Sequence, residues 1–198
     1  MNPTIKARIE SIRRGEVPEG YKRTKIGIVP NEWNEYNLGD FLEEYKEKTM
    51  ISNQYPVLTS SRKGLMLQKE YYSRRQVTTD DNIGYNVIPF GFITYRSRSD
   101  DGRFCFNENT IIEKGIISYF YPVFSVSANA VKTFVLYLMN ETIYRRMIPY
   151  AEGTAQQVLS LKQLCSLKYF FPTVSEQEKI AEILAGQDRV IALKEKLL

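Results

Sequence analysis

Between Trp33 and about Phe124 the chain consists of short aromatic and β-branched runs separated by turn residues, which restricts this region to a sheet of short strands. The runs are Tyr55-Pro56-Val57-Leu58-Thr59, Gly91 to Arg96, Arg103 to Asn107 and Ile116 to Tyr121. Gly64, Asp81-Asn82 and Asp101-Gly102 punctuate them, and Asp101-Gly102 between two such runs predicts a hairpin. Gly39 to Tyr45 is the exception and reads as one short helix.

The flanks have a different period. Asn2-Pro3 predicts a helix start, with Ile5, Ile9 and Ile12 on one face and Gly15 as the stop. Ser127 is predicted to cap an amphipathic helix in which Val131, Phe134, Val135, Leu138, Met139 and Met147 share a face, with Asn140 off it, and which ends at Pro149. Gly153 to Gln157 reads as a polar loop. After Pro172, Ser175-Glu176-Gln177-Glu178 predicts a capping box. The apolar pairs Ile183-Leu184, Val190-Ile191 and Leu197-Leu198 then recur every seven residues, the spacing of a coiled-coil seam. The last helix runs to the final residue without a cap, as expected if the chain continues or a second chain completes the packing. The whole is an α+β chain with a helical arm.

Several chemistries are excluded by what is missing. The 198 residues contain no histidine, which removes Ser-His-Asp and Cys-His centres and imidazole metal sites. Two cysteines cannot supply a four-thiolate zinc site and suggest a reducing, cytoplasmic setting. No phosphate-binding Gly-Lys-Ser/Thr loop and no Gly-x-Gly-x-x-Gly turn is present. Asn86-Val87-Ile88-Pro89-Phe90 lacks the double proline of an amino-methyltransferase box, and Glu44-Tyr45-Lys46 with Asp40 is a chance-level nuclease pattern. The longest apolar stretch, Ile116 to Phe124, is too short to cross a membrane, and the N-terminus has no signal-peptide core.

Net charge is +4, all of it accounted for by residues 1–25. The informative clusters are Arg74-Arg75 and Arg96-Ser97-Arg98, because a guanidinium fits phosphate and guanine edges through paired donors. Solvated strand and turn residues would carry the same charges.

The ordered motifs resemble the specificity subunit of type I restriction–modification systems. Gly20 to Trp33 followed by Leu38-Gly39-Asp40 is similar to the opening of that family's target recognition domain. Tyr55 to Ser61 with Gly64, and Ile93 to Arg98, resemble its middle strands. Gly153-Thr154-Ala155-Gln156-Gln157, and Phe171-Pro172 leading through Ser175-Glu176-Gln177 to Ile180-Ala181, Ile183-Leu184 and Asp188, resemble its closing segment. The resemblance implies a non-catalytic, sequence-specific reader of double-stranded DNA with one target recognition domain, half the usual number. It implies a twisted mixed or antiparallel sheet with flanking helices. The division expected is a basic helix over 1–19, the recognition domain over 20–172, and the start of a long dimerisation or spacer helix over 173–198. The implied partners are a methyltransferase subunit, a restriction subunit, and a second copy or second half-subunit. S-adenosylmethionine, ATP and Mg would belong to those partners, with no cofactor on this chain.

Within that frame the expected base-contacting residues are Arg62, Lys63, Arg96, Arg98 and Arg103. Arg74 and Arg75 are expected on phosphates, with Tyr71 and Tyr72 offering hydroxyl or stacking contacts. Gln156 and Gln157 could read adenine or bond their own loop. Ile180, Ile183, Leu184, Val190, Ile191, Leu197 and Leu198 are assigned to a helix–helix seam, with packing on the chain's own domain as the alternative. A competing reading is an accessory or decoy module that binds the methyltransferase without touching DNA.

Overall fold

The computed structural model describes residues 3–72, 81–154 and 156–197. It opens with helix α1 (Pro3–Arg13), which ends where Gly15 turns left-handed at φ 78°. Hairpin β1 (Tyr21–Thr24) and β2 (Gly27–Pro30) follows and holds the helix by two contacts. Arg8 lies over the Tyr21 ring at 5.5 Å, and Arg23 donates to the Gly15 carbonyl. Ile9 and Ile12 are half-buried and Ile5 is exposed, so the predicted face is only partly covered.

Strand β3 (Asn34–Asn37) leads into a single 3-10 turn, Leu38–Asp40, and then β4 (Leu42–Tyr45). The helix predicted over Gly39 to Tyr45 is therefore wrong: four of its residues are a sheet strand. Seven residues cannot sustain a helix against the pairing offered by a neighbouring strand. Here Leu42 to Tyr45 register against Val126 to Val123.

The next elements are β5 (Leu58–Ser61), β6 (Gly64–Leu67), α2 (Gln68–Tyr71), β7 (Asn86–Pro89), β8 (Ile93–Tyr95), β9 (Arg98–Ser99), β10 (Phe106–Glu108), β11 (Lys114–Ile117) and β12 (Val123–Val126). The central sheet has the order β10-β8-β12-β4, and two-stranded ribbons β5-β6 and β11-β7 surround it. Among the described residues every strand ladder is antiparallel, and the one parallel contact is an isolated bridge between Val57 and Ile116. β8 and β10 pair as the Asp101-Gly102 signal predicts, but the reversal between them also carries β9.

The predicted long helix after Ser127 is a correction. α3 covers only Lys132–Tyr137 with Val131 at its cap, and a π turn (Leu138–Thr142) and 3-10 turns (Tyr144–Arg146 and Ile148–Tyr150) replace the rest. The apolar face survives, since Phe134, Val135, Leu138, Met139 and Met147 are all buried. What breaks the regular winding coincides with Asn140. Its carboxamide accepts from the Phe106 amide (2.9 Å) and donates to the Phe106 carbonyl (3.0 Å), pairing the free edge of β10.

The chain closes with β13 (Gln157–Val158) on β9, α4 (Leu161–Ser166), β14 (Lys168–Phe171) on β3, and α5 (Val174–Glu195). The capping box of α5 uses Thr173 and Glu176, two residues before the predicted Ser175 and Glu178. Both pairs have the required spacing; starting at Thr173 buries Gln177 and Ala181 in the first two turns.

The main core joins Leu38, Ile93, Phe106, Phe124, Phe134, Met139, Leu164 and Phe171 around Tyr95, whose buried hydroxyl donates to the Leu159 carbonyl at 2.9 Å. A smaller core packs Leu58, Ile88, Ile117 and Val123. Gly115 on β11 is required by this second core, because a Cβ there would stand 2.6 Å from Leu58 Cδ1 and 2.8 Å from its Cγ. Gly115→Ala is expected to destabilise the protein by roughly 1–3 kcal/mol through overpacking, measured by denaturant unfolding.

Candidate nucleic-acid interface

From Tyr95, the last residue of β8, to Asp100 just past β9, exposure alternates strictly. Tyr95, Ser97 and Ser99 face inward and are buried, while Arg96, Arg98 and Asp100 are exposed. Period-two geometry thus delivers the Arg-x-Arg pair to one face. Opposite stands the β5-β6 hairpin, whose two-residue turn is Arg62-Lys63. Asn107 on β10 fixes that hairpin by donating to Ser60 Oγ at 2.8 Å and to the Ser61 carbonyl at 2.9 Å. Tyr71 and Tyr72, edge to face at 4.8 Å, come from the end of α2.

These segments enclose one open groove of about 320 Å³. Its walls hold Arg62, Lys63, Tyr71, Tyr72, Arg96, Arg98 and Arg103, seven residues singled out from sequence and separated by as many as 41 positions along the chain. Arg74 and Arg75 lie outside the described residues. Two of the guanidiniums lie against rings: Arg98 sits 4.3 Å over the Phe120 ring, and Arg103 lies 5.5 Å from the Tyr144 ring centre. Burial pushes the Tyr121 phenol above its ordinary pKa, with nearby Arg96 opposing.

Asp101 ties the two walls together. Its Oδ1 accepts from Arg62 at 2.6 Å and from the Arg103 amide at 3.2 Å, and the Ser99 hydroxyl stands 3.0 Å away. Arg62 first, then the amide and hydroxyl, pull its pKa down to about 2. The sign follows from linkage: the contribution of this contact is complete above the ordinary carboxylate range and disappears as pH falls through about 2. An NMR titration of the Asp101 carboxyl is expected to show its midpoint at about 2, and Arg62→Ala should move it up toward ~3.9.

The two glutamines point to different work. Gln156 donates to Asp100 Oδ1 at 3.0 Å. Gln157 is drawn inward by pairing with Ser99, and its side-chain oxygen is buried, on the side where a Cβ on Gly102 would meet it. Sequence reasoning missed Ser60, Ser61, Ser99, Asp100 and Tyr121 as groove residues. The alternation from Tyr95 to Asp100 was the available signal for Asp100; the serines carry none.

On the arm, Ile180 packs against the main core and Leu184 is half-buried. The remaining seam residues are bare, with Ile183 62%, Val190 52%, Ile191 53% and Leu197 86% exposed. Leu198 lies outside the described residues. Among the described residues no group of three Asp, Glu or Cys is placed to hold a metal ion, and no helix is long and apolar enough to cross a membrane.

The model of the type I restriction modification DNA specificity domain matches residues 30–198. The chain belongs to that family. Solved structures similar to it include the HsdS subunit of Thermoanaerobacter tengcongensis, at 16% identity and a TM-score of 0.52, with 98% of this chain and 49% of that one covered. Another, from work on complex assembly and conformational transition of the type I R-M system, has 17% identity and a TM-score of 0.54 over 98% and 49%. The chain spans about half the length of each, and they bear out the α+β fold with a long closing helix. No curated protein sequence matches.

Proposed function

We propose that this chain is the DNA-reading component of a type I restriction–modification complex and recognises one half of a bipartite target. The observation that carries the reading is the convergence of Arg62, Lys63, Arg96, Arg98 and Arg103 on one groove from separate stretches of chain. Arg96, Arg98 and Arg103 offer paired donors to guanine O6 and N7 in the major groove; Lys63, expected at a base edge, is reassigned to phosphate because it stands on a turn tip, and Arg62 is engaged by Asp101. Tyr71 and Tyr72 add hydroxyl contacts. The chain does no bond chemistry of its own; methyltransferase and restriction subunits in the cytoplasm supply it, with S-adenosylmethionine, ATP and Mg. The bare apolar stripe of α5 pairs with a second copy or second half-subunit, at ~1.5 Å of spacing per helical residue. Two copies related by a two-fold axis read a palindromic split site.

Duplex binding is to be measured by fluorescence anisotropy for the chain with its methyltransferase, at several salt concentrations. Affinity is expected to fall steeply with salt, as counterions are released, and methylome sequencing should lose one bipartite motif when the gene is deleted. Co-purification with the methyltransferase but no salt-sensitive DNA binding would establish the decoy reading instead.

A further inference from the structure

Two consecutive carboxylates end the β9 run, and they are used differently. Asp101 is committed internally to Arg62, Ser99 and the Arg103 amide. Asp100 is exposed in the groove, and among the described residues no cation stands within 4.0 Å of it. Its hydrogen bond is to a neutral donor, Gln156 Nε2, on Oδ1. The carboxamide orients the carboxylate through Oδ1, Arg62 acts on it only at longer range, and Oδ2 remains available as an acceptor.

A carboxylate with no cation in contact repels a phosphate. It suits a place where base edges approach and the backbone does not. Asp100 also continues the exposed series Arg96, Arg98, so one face presents donor, donor, acceptor at up to ~6.6 Å per outward residue, about two base-pair steps of ~3.4 Å. The two guanidiniums match guanine, whose major-groove edge is all acceptor. Cytosine shows there only an amino donor, whereas adenine places an acceptor nitrogen beside its amino group, where a carboxylate is repelled.

We infer that Asp100, oriented by Gln156, is a specificity-determining residue that accepts a hydrogen bond from the exocyclic amino group of a cytosine. This rests on the groove being the DNA interface. The test is selection from randomised duplexes by gel shift, using the chain with its methyltransferase as wild type, Asp100→Asn, Gln156→Ala and, for comparison, Arg96→Ala. The expected result is that Asp100→Asn relaxes one C·G position of the selected half-site by roughly 5- to 150-fold and leaves the others unchanged. Gln156→Ala should relax the same position less. Thermal unfolding of Asp100→Asn should match wild type, since Asp100 is exposed, and that of half-buried Gln156→Ala should lie within a few degrees of it.

Relaxation at an A·T position overturns the assignment. So does uniformly tighter binding of all sequences by Asp100→Asn, which would make the carboxylate only a repeller. If wild type selects no sequence at all, the proposed function fails first and this inference with it.

Discussion

Arg96→Ala and Arg98→Ala are each expected to weaken binding to the cognate duplex by roughly 1–3 kcal/mol, a loss of about 5- to 150-fold per residue. Both side chains are exposed on the groove face while Ser97 between them is buried, so truncation removes donors without opening the core. Arg98 is held over Phe120 at 4.3 Å, which reduces the freedom lost on contact. Arg98→Lys should recover little, because an ammonium cannot make the planar paired contact. Lys63→Ala provides the contrast: affinity falls about equally on cognate and non-cognate duplex, and the salt slope drops by ~1. Anisotropy titrations at two salt concentrations separate these patterns. Undiminished cognate affinity in both arginine variants would remove the groove from the DNA interface.

Gln177→Ala is expected to cost roughly 2–4 kcal/mol of stability, far more than a typical surface change. The side chain is 2% exposed, accepts from the Val131 amide at 2.9 Å and donates to the Pro172 carbonyl at 3.1 Å. Truncation leaves both backbone groups without that partner and opens a space at the root of α5. One polar side chain thus joins the start of α3, the end of β14 and the first turn of the arm. The neighbouring Glu178, exposed on the same helix, serves as control, with a change within about ±0.5 kcal/mol. Thermal unfolding reads the difference, at ~2–4 °C per kcal/mol for a chain of this size. Equal melting temperatures for both variants would show that Gln177 does not anchor the arm.

The closing motif was conspicuous in the sequence for a reason that only packing explains. Glu-Gln-x-x-Ile-Ala contains the cap partner Glu176, the anchor Gln177, and Ile180 and Ala181 at the core. Its helical period was readable, but the cap was misplaced by two residues because two Ser/Thr-x-x-Glu patterns overlap. Similarly, the apolar period of residues 131–147 identified the buried face correctly. It did not reveal the π turn, since the edge of β10 that Asn140 satisfies lies 34 positions earlier in the chain.

Local chemistry determined much of this protein: short strands from turn spacing and β-branched runs, helices from caps and periodicity, and the absence of imidazole chemistry from composition. Each depends on residues within a few positions of one another, where steric and hydrogen-bonding preferences act directly. Tertiary packing decided the rest. It made Gly39 to Tyr45 a turn and strand, because a neighbouring strand supplied hydrogen bonds that a short helix could not outweigh. It joined the Arg62-Lys63 turn to the Arg96–Arg103 loop through Asp101, and it separated Asp100 from Asp101 in role. Those distinctions reside in contacts between distant segments, whose closeness depends on how the buried clusters pack and not on any nearest-neighbour preference.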